Sequence, residues 1–165
     1  MRVLVIFILN ILCLTASAQN LKIGFIDTEK IIINLTQYKQ SIDELSRQFE
    51  PKKQELLDLF KHIELIRANV ESNKNSISSE SLEIELSKLA DLEESFALET
   101  EFWQKTMNSK KINLLNKIES LVNTTINEFA LEEGYDLILY KDVAFVSDEV
   151  NITQQIIEKI EKLSR

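Results

Sequence analysis

A heptad pattern of apolar residues runs through the first half of the chain. Eleven positions are spaced alternately three and four residues apart, and ten of them are apolar: Leu35, Tyr38, Ile42, Leu45, Phe49, Lys52, Leu56, Leu59, Ile63, Ile66 and Val70. An ideal helix repeats every 3.6 residues, so an amphipathic helix of a globular protein drifts off a strict 3.5-residue period over this length. The pattern therefore favours a coiled coil over globular helix packing.

The heptad pattern stops at residues 71–80, ESNKNSISSE, and resumes beyond them. Asn and Ser side chains compete for backbone hydrogen bonds and so favour caps and turns. Glu93, Thr100 and Lys110 interrupt the second run, which otherwise contains Leu82, Leu86, Leu89, Phe96, Trp103, Met107, Leu114, Ile118 and Leu121. We predict a helical hairpin over residues 28–133, with helices at Thr28–Ser72 and Ser79–Glu133, a tip near 72–79 and a less tightly fitting return helix.

Strand-like sequence lies at both ends of this predicted hairpin. Lys22–Ile26 reads KIGFI, and GYDLILYKDVAFV begins at Gly134, which suits the residue just past a helix end. We expect strands at Lys22–Ile26, Asp136–Tyr140 and Val143–Val146. Helices of roughly 65 and 80 Å, at about 1.5 Å per residue, would fold back and bring these strands together.

A last helix is predicted after the strands, capped by Asn151 or Thr153, with an apolar stripe of Ile152, Ile156, Ile157, Ile160 and Leu163. Three short strands and one small helix cannot bury a sizeable core, and their open edges pair with other chains. We therefore expect residues 19–27 and 134–165 of several copies to form a shared body. The predicted contacts are Ile23, Phe25, Leu137, Leu139, Val143 and Phe145.

The first 18 residues resemble a secretory signal peptide. Arg2 precedes an apolar run of about a dozen residues, shorter than the roughly 20 that span a membrane, and Ala16-Ser17-Ala18 provides a cleavage site. Cleavage before Gln19 is favoured over an uncleaved anchor, and Cys13 lacks the preceding small residue of a lipidation site. Removing residues 1–18 takes away one basic and no acidic residue, so the net charge moves from −8 to −9. This charge argues against nucleic acid as a partner.

We identify no catalytic, cofactor-binding or metal-binding constellation. His62 is the only histidine and suits a helix surface, and the exported chain would contain no cysteine. The adjacent pairs Glu93-Glu94 and Glu132-Glu133 do not face each other on a helix. Pro51 either separates two helices or kinks one helix. The retained heptad register favours a kink, which makes Pro51 a candidate hinge.

The two ends of the chain, LKIGFIDTEKII and GYDLILYKDVAFVSDEVNIT, resemble the Skp (OmpH-like) family of periplasmic chaperones, as do the signal peptide and the Asn/Ser tip. The resemblance implies a mainly helical fold with a small β part and a homotrimer whose strands form one body. Three hairpin arms would project from that body around a cavity. It also implies an ATP-independent holdase, not an enzyme, that binds unfolded outer-membrane proteins in the periplasm.

One feature departs from the family pattern. Family members are often basic toward the arm tips, whereas Glu80–Glu101 contains eight acidic residues and Lys88 as its only basic one. Contact with lipopolysaccharide or an anionic membrane is therefore left open.

Phe96, Phe102 and Trp103 are candidate client-facing residues. Phe96 and Trp103 also fit the coiled-coil core, which makes Phe102 the better candidate. The alternative function is a secreted coiled-coil spacer or adhesion subunit without chaperone activity, and an envelope enzyme is a more distant third. Suppression of client aggregation separates a chaperone from a spacer.

Overall fold

A computed structural model describes residues 21–163 of the protein. The predicted signal peptide at 1–18, with Cys13, and the predicted mature end at Gln19 lie outside the described residues. The elements in chain order are β1 (Ile23–Ile26), α1 (Thr28–Asn34), α2 (Thr36–Asn73), α3 (Ser79–Glu133), β2 (Leu137–Tyr140) and α4 (Thr153–Leu163). The predicted fold class, a long helical hairpin attached to a small β part, is confirmed.

Helices α2 and α3 pack against each other along the predicted seam. All eleven heptad positions from Leu35 to Val70 are buried or half-buried. In α3 the prediction of Leu86 is wrong, because its side chain is 48% exposed. The seam of α3 runs instead through Leu82, Glu85, Leu89, Leu92 and Phe96, all buried or half-buried. The apolar pattern of the sequence did not reveal this register, because one of its positions, Glu85, is charged.

The tip of the hairpin is a short connection over residues 74–78. Helix α2 ends at Asn73, and the carbonyl of Asn73 accepts a hydrogen bond from the Ser76 N–H at 2.8 Å. The side chain of Ser78 caps α3 by accepting a hydrogen bond from the backbone N–H of Ser81 at 3.2 Å. Ser78 therefore performs the N-cap role that its side-chain chemistry favours.

The predicted continuous helix from Thr28 to Ser72 is interrupted at Leu35. This residue is extended, with φ −65° and ψ 129°, and its side chain is fully buried. The Glu161 carboxylate of α4 accepts a hydrogen bond from the backbone N–H of Thr36 at 2.7 Å. The break is thus held by burial and by a capping group 125 residues away, neither of which is visible locally in the sequence.

The sheet has two parallel strands among the described residues, with Ile23 opposite Leu137 and Phe25 opposite Leu139. The other edge of β1 pairs with residues 150–152, since the Phe25 N–H donates to the Val150 carbonyl at 2.7 Å. The predicted strand at Val143–Val146 is absent. Residues 141–149 instead connect the end of β2 to the segment that pairs with the far edge of β1.

A small core lies where the strands meet the base of the hairpin. It is built largely from helices, and its members are Ile26, Ile31, Leu35, Ile118, Val122, Ile152, Ile156, Ile157 and Ile160. Four of the five residues of the predicted α4 stripe are buried, while Leu163 is exposed. One copy thus buries more than the strands and last helix alone would allow, because α1 and α3 contribute buried residues and Tyr38 of α2 packs against the core.

Three residues fix the ends of these elements. Gly134 follows α3 in the left-handed conformation, with φ 69°, as predicted. Of the two predicted caps for α4, Asn151 accepts a hydrogen bond from the first helical N–H, that of Thr153, at 3.1 Å. The Thr153 hydroxyl instead accepts a hydrogen bond from the backbone N–H of Asp27 at 3.0 Å. The chain ends are therefore tied together by polar contacts as well as by the core.

Candidate assembly and client-binding surfaces

The two faces of the sheet have different environments. Successive side chains of a strand point to opposite faces, and partners in register share a face. Gly24 and Ile26 of β1 are buried against the core. The outer face carries Ile23, Phe25, Leu137 and Leu139, of which Ile23, Leu137 and Leu139 are each about 40% exposed. Phe25 is half-buried. Four predicted contact residues therefore lie side by side on one partly exposed apolar surface, which we call the outer sheet face.

The other two predicted contact residues lie on the connection that follows β2. Lys141 and Asp142 both have positive φ angles, 58° and 49°, and turn the chain out of the strand. Phe145 is then 83% exposed and Val143 is 37% exposed. The connection thus exposes further apolar side chains directly after β2, the strand that carries half of the outer sheet face.

Gly24 controls how closely the inner sheet face approaches the core. A Cβ atom built on Gly24 would lie 2.8 Å from Cδ1 of Ile152 and 3.1 Å from Cε1 of Tyr135. Such distances are below van der Waals contact, so a larger residue here would require β1 or the side chains of Ile152 and Tyr135 to shift. Sequence reasoning did not assign this role, although an isolated glycine inside a strand is a signal of close approach.

Lys22 fastens the start of β1 to the end of α3. Its ammonium lies 4.2 Å from the ring centroid of Tyr135 and donates a hydrogen bond to the backbone carbonyl of Glu133 at 2.5 Å. The Lys22 backbone N–H also donates to the Asp136 carboxylate at 2.8 Å. These contacts fix the position of the outer sheet face relative to the hairpin.

Two aromatic pairs cross the hairpin. The rings of Phe49 and Trp103 meet edge to face at 6.5 Å, and those of Phe60 and Phe96 lie 5.8 Å apart. Two of the three client-facing candidates, Phe96 and Trp103, are therefore part of the seam. The third, Phe102, is 72% exposed and points away from it.

Charged residues also cross the hairpin. Lys52, the one polar member of the first heptad run, lies 2.6 Å from the Glu99 carboxylate, and Arg67 lies 2.7 Å from Glu93. The hydrogen bond from Lys52 holds the pKa of Glu99 below its ordinary value. Hydrogen bonds to Glu55 and then to Glu99 raise the pKa of Lys52. The side chains of Lys52 and Arg67 thus form pairs of opposite charge with carboxylates of the other helix along the seam.

Pro51 lies inside α2, which continues through it from Thr36 to Asn73. The alternative of two helices separated at the proline is wrong for this reason. The role of Pro51 as a hinge remains a prediction.

A cavity of about 530 Å³ opens at the base of the hairpin, beside β2. Its apolar lining comes from α1, α3 and the sheet and includes Ile26, Ile32, Ile126 and Ile138. Glu119, Asp136 and Lys141 are among its polar residues, and no cysteine, serine or histidine lines it. The cavity thus has a mixed lining of aliphatic and charged side chains.

No group of three or more His, Cys, Asp or Glu side chains within residues 21–163 could hold a metal ion. No helix in the same range is long and apolar enough to cross a membrane.

Comparisons with known proteins identify the family. The family model of the outer membrane protein (OmpH-like) matches residues 22–160. The chain is also similar to an OmpH-like protein of Caulobacter crescentus CB15, proposed to be an outer membrane chaperone, whose crystal structure has 13% sequence identity and a TM-score of 0.75. That alignment covers 87% of this chain and 85% of the other, and it supports the fold. No match was found among curated proteins. Because the family model spans most of the sequence, including both strands and the whole hairpin, the chain belongs to the OmpH-like family.

Proposed function

We propose that this protein is an ATP-independent holdase of the periplasm. In this proposal, three copies join through their outer sheet faces, and their hairpin arms enclose unfolded outer-membrane proteins in transit. Membership of the OmpH-like family and the likeness to a proposed chaperone support the assignment.

The observation that carries the proposal is the apolar outer sheet face. Ile23, Phe25, Leu137 and Leu139 occupy adjacent register positions on a surface that the described chain covers only in part. A two-stranded sheet is marginal by itself, and its partly exposed apolar face is suited to burial against other copies. Joining the bodies in this way would hold several arms at one end and leave their tips free.

The arms supply the second requirement of a holdase. An unfolded β-barrel protein exposes apolar strands that aggregate through their edges, and enclosure between arms suppresses that process without sequence-specific recognition. Exposed apolar residues lie along both helices of the hairpin, including Leu57, Leu65, Leu98 and Phe102. These offer the dispersed contacts that a non-specific cavity needs.

The test is an aggregation assay. A β-barrel outer-membrane protein is denatured in urea and diluted into buffer without ATP, and its light scattering is followed with and without this protein. A holdase should abolish most of the scattering at stoichiometric amounts. A coiled-coil spacer or adhesion subunit should leave the scattering unchanged, and that result would reject the proposal.

A further inference from the structure

The side of α3 that faces away from α2 carries a line of exposed apolar residues. Ile84, Leu98 and Ile112 follow each other at intervals of fourteen residues, and they are 50%, 60% and 59% exposed. Phe102, one turn from Leu98, is 72% exposed. Residues at multiples of seven share one side of a helix in a coiled coil. The seam residues Leu89, Phe96 and Trp103 lie on the opposite side.

Acidic residues lie beside the half of this line that is nearest the tip of the hairpin. Asp91 lies midway between Ile84 and Leu98, while Glu94 and Glu101 lie one turn to either side of Leu98. Within residues 21–163 these three carboxylates form no salt bridge, unlike their neighbours toward the seam. The neighbours Glu85, Glu93 and Glu99 pair with Lys88, Arg67 and Lys52 respectively.

The charge changes sign at Phe102. Residues 102–118 contain four lysines and no acidic residue, whereas residues 80–101 contain eight acidic residues and one lysine. The apolar line continues through both halves, so only its part nearest the tip combines exposed apolar groups with unpaired negative charge. We call this part, from Ile84 to Phe102, the acidic strip.

We propose that the acidic strip is a docking surface for unfolded polypeptide segments in which Lys or Arg lies next to apolar residues. The inference rests on the proposed holdase function and specifies the class of client segment. Apolar client side chains would cover Ile84, Leu98 and Phe102, while basic ones would meet Asp91, Glu94 and Glu101. Charge complementarity selects this occupant, because the strip repels anionic lipid and nucleic acid. A second copy of this chain is disfavoured as the occupant, because it would place its own three carboxylates next to those of the strip.

Three fluorescent peptides of equal length test the proposal. Each has the same unstructured apolar pattern, and the intervening residues are Lys, Glu or Ser. The strip variant Asp91→Asn/Glu94→Gln/Glu101→Gln is compared with a control variant, Asp43→Asn/Glu128→Gln/Glu149→Gln, which loses the same charge at exposed positions elsewhere. Fluorescence anisotropy gives Kd values at low and high salt for the wild type and both variants.

We expect the wild type to bind the Lys peptide more tightly than the Ser peptide and the Glu peptide least. The strip variant should bind the Lys peptide about fivefold more weakly, on the scale of three exposed charge pairs, and the control variant should match the wild type. High salt should remove most of the difference between peptides. In Leu98→Ser/Phe102→Ser the affinity should fall for all three peptides, because that change removes the shared apolar contacts.

Several results would overturn the proposal. Equal Kd values for the three peptides, or equal losses in the strip and control variants, would remove the acidic strip as a selective surface while leaving aggregation suppression intact. Binding to phosphatidylcholine vesicles that depends on Leu98 and Phe102, without peptide binding, would assign the strip to membranes. Concentration-dependent association lost in Leu98→Ser/Phe102→Ser would assign it to a second copy. Failure of aggregation suppression by the wild type would count separately, against the proposed function.

Discussion

The indole N–H of Trp103 donates a hydrogen bond to the backbone carbonyl of Phe49, 3.3 Å away, on the turn of α2 that precedes Pro51. A proline in a helix interior lacks the N–H that would bond the carbonyl four residues earlier, and its ring disturbs the preceding turn. The return helix therefore contacts α2 next to the turn that the proline deprives of a helical hydrogen bond, through a hydrogen bond and an edge-to-face ring contact. If the arm bends at Pro51, Trp103 is placed to limit that bending.

We expect Pro51→Ala to stiffen the arm. The change restores a helical hydrogen bond, and about 3 kcal/mol is the scale of the proline penalty in a helix interior. Hydrogen exchange over residues 49–56 should become slower. Unchanged exchange in this segment would show that Pro51 is not a point of flexibility.

Trp103→Phe should have the opposite effect at the same place. Phenylalanine keeps a ring for packing against Phe49 but cannot donate to its carbonyl, and one such hydrogen bond contributes about 1 kcal/mol. Exchange over residues 49–56 should become faster, while exchange near the tip should stay the same. Leu98→Ala, an exposed change on the same helix, serves as the control and should leave both segments unaltered.

Gly24→Ala should destabilise the body by about 1–3 kcal/mol, because its methyl group would overlap Cδ1 of Ile152. The companion change Ile152→Val removes that methyl group and makes room. In urea unfolding, the double variant should therefore lose less stability than the sum of the two single variants. Additive losses would show that the contact between Gly24 and Ile152 does not limit residue size.

Phe25→Asp should prevent assembly or folding. A carboxylate on the outer sheet face would be buried without a partner in an assembled body, at a cost of several kcal/mol. Light scattering should then report single chains or unfolded protein. Phe102→Asp makes the same chemical change on an exposed part of the arm, and its mass should equal that of the wild type.

The ion pair between Lys52 and Glu99 should give the hairpin a pH-dependent contribution. The pKa of Glu99 is lowered from 4.5, so its contribution is present above pH 4.5 and is lost as pH falls through the lower, folded-state value. The pKa of Lys52 is raised from 10.5, so its contribution is present below pH 10.5 and is lost at higher pH. Both groups are exposed, and the effect should be small.

The corresponding measurement is the thermal midpoint of Glu99→Gln relative to the wild type. The difference should be largest between these two pH limits and should vanish in acid. Glu101→Gln removes an exposed carboxylate of the same helix that forms no salt bridge within residues 21–163, and it serves as the control, whose thermal midpoint should stay close to that of the wild type. A difference for Glu99→Gln that persists in strong acid would contradict the assignment.

The parts of the fold that depend on repeating local chemistry could be predicted from the sequence. The heptad positions of α2, the Asn/Ser tip and the left-handed Gly134 each follow from side-chain periodicity or backbone preference. The break at Leu35 could not be predicted, because its capping group is Glu161 and its burial depends on α4. Val143–Val146 has the composition of a strand, but residues 150–152 occupy the edge of β1 opposite β2.

The candidate surfaces could likewise be predicted from the sequence only in part. Ile23, Phe25, Leu137 and Leu139 were predicted as contacts, and they lie at alternate positions of β1 and β2, which share one face because the period of a strand is two residues. Their exposure depends on which face meets the core, and that is decided by the tertiary contacts of Gly24 and Ile26. The acidic strip was visible only in part. Its negative charge can be read from the sequence. That Glu93 is paired and Glu94 is not depends on the position of Arg67 in the folded hairpin.

The most direct test of the account is the native mass of the protein with an unfolded outer-membrane β-barrel protein, measured by mass spectrometry without ATP. The account predicts three copies of this chain in the free protein and three copies plus one client in the mixture. A single chain that acquires no client at any ratio would contradict both the assembly through the outer sheet face and the holdase function.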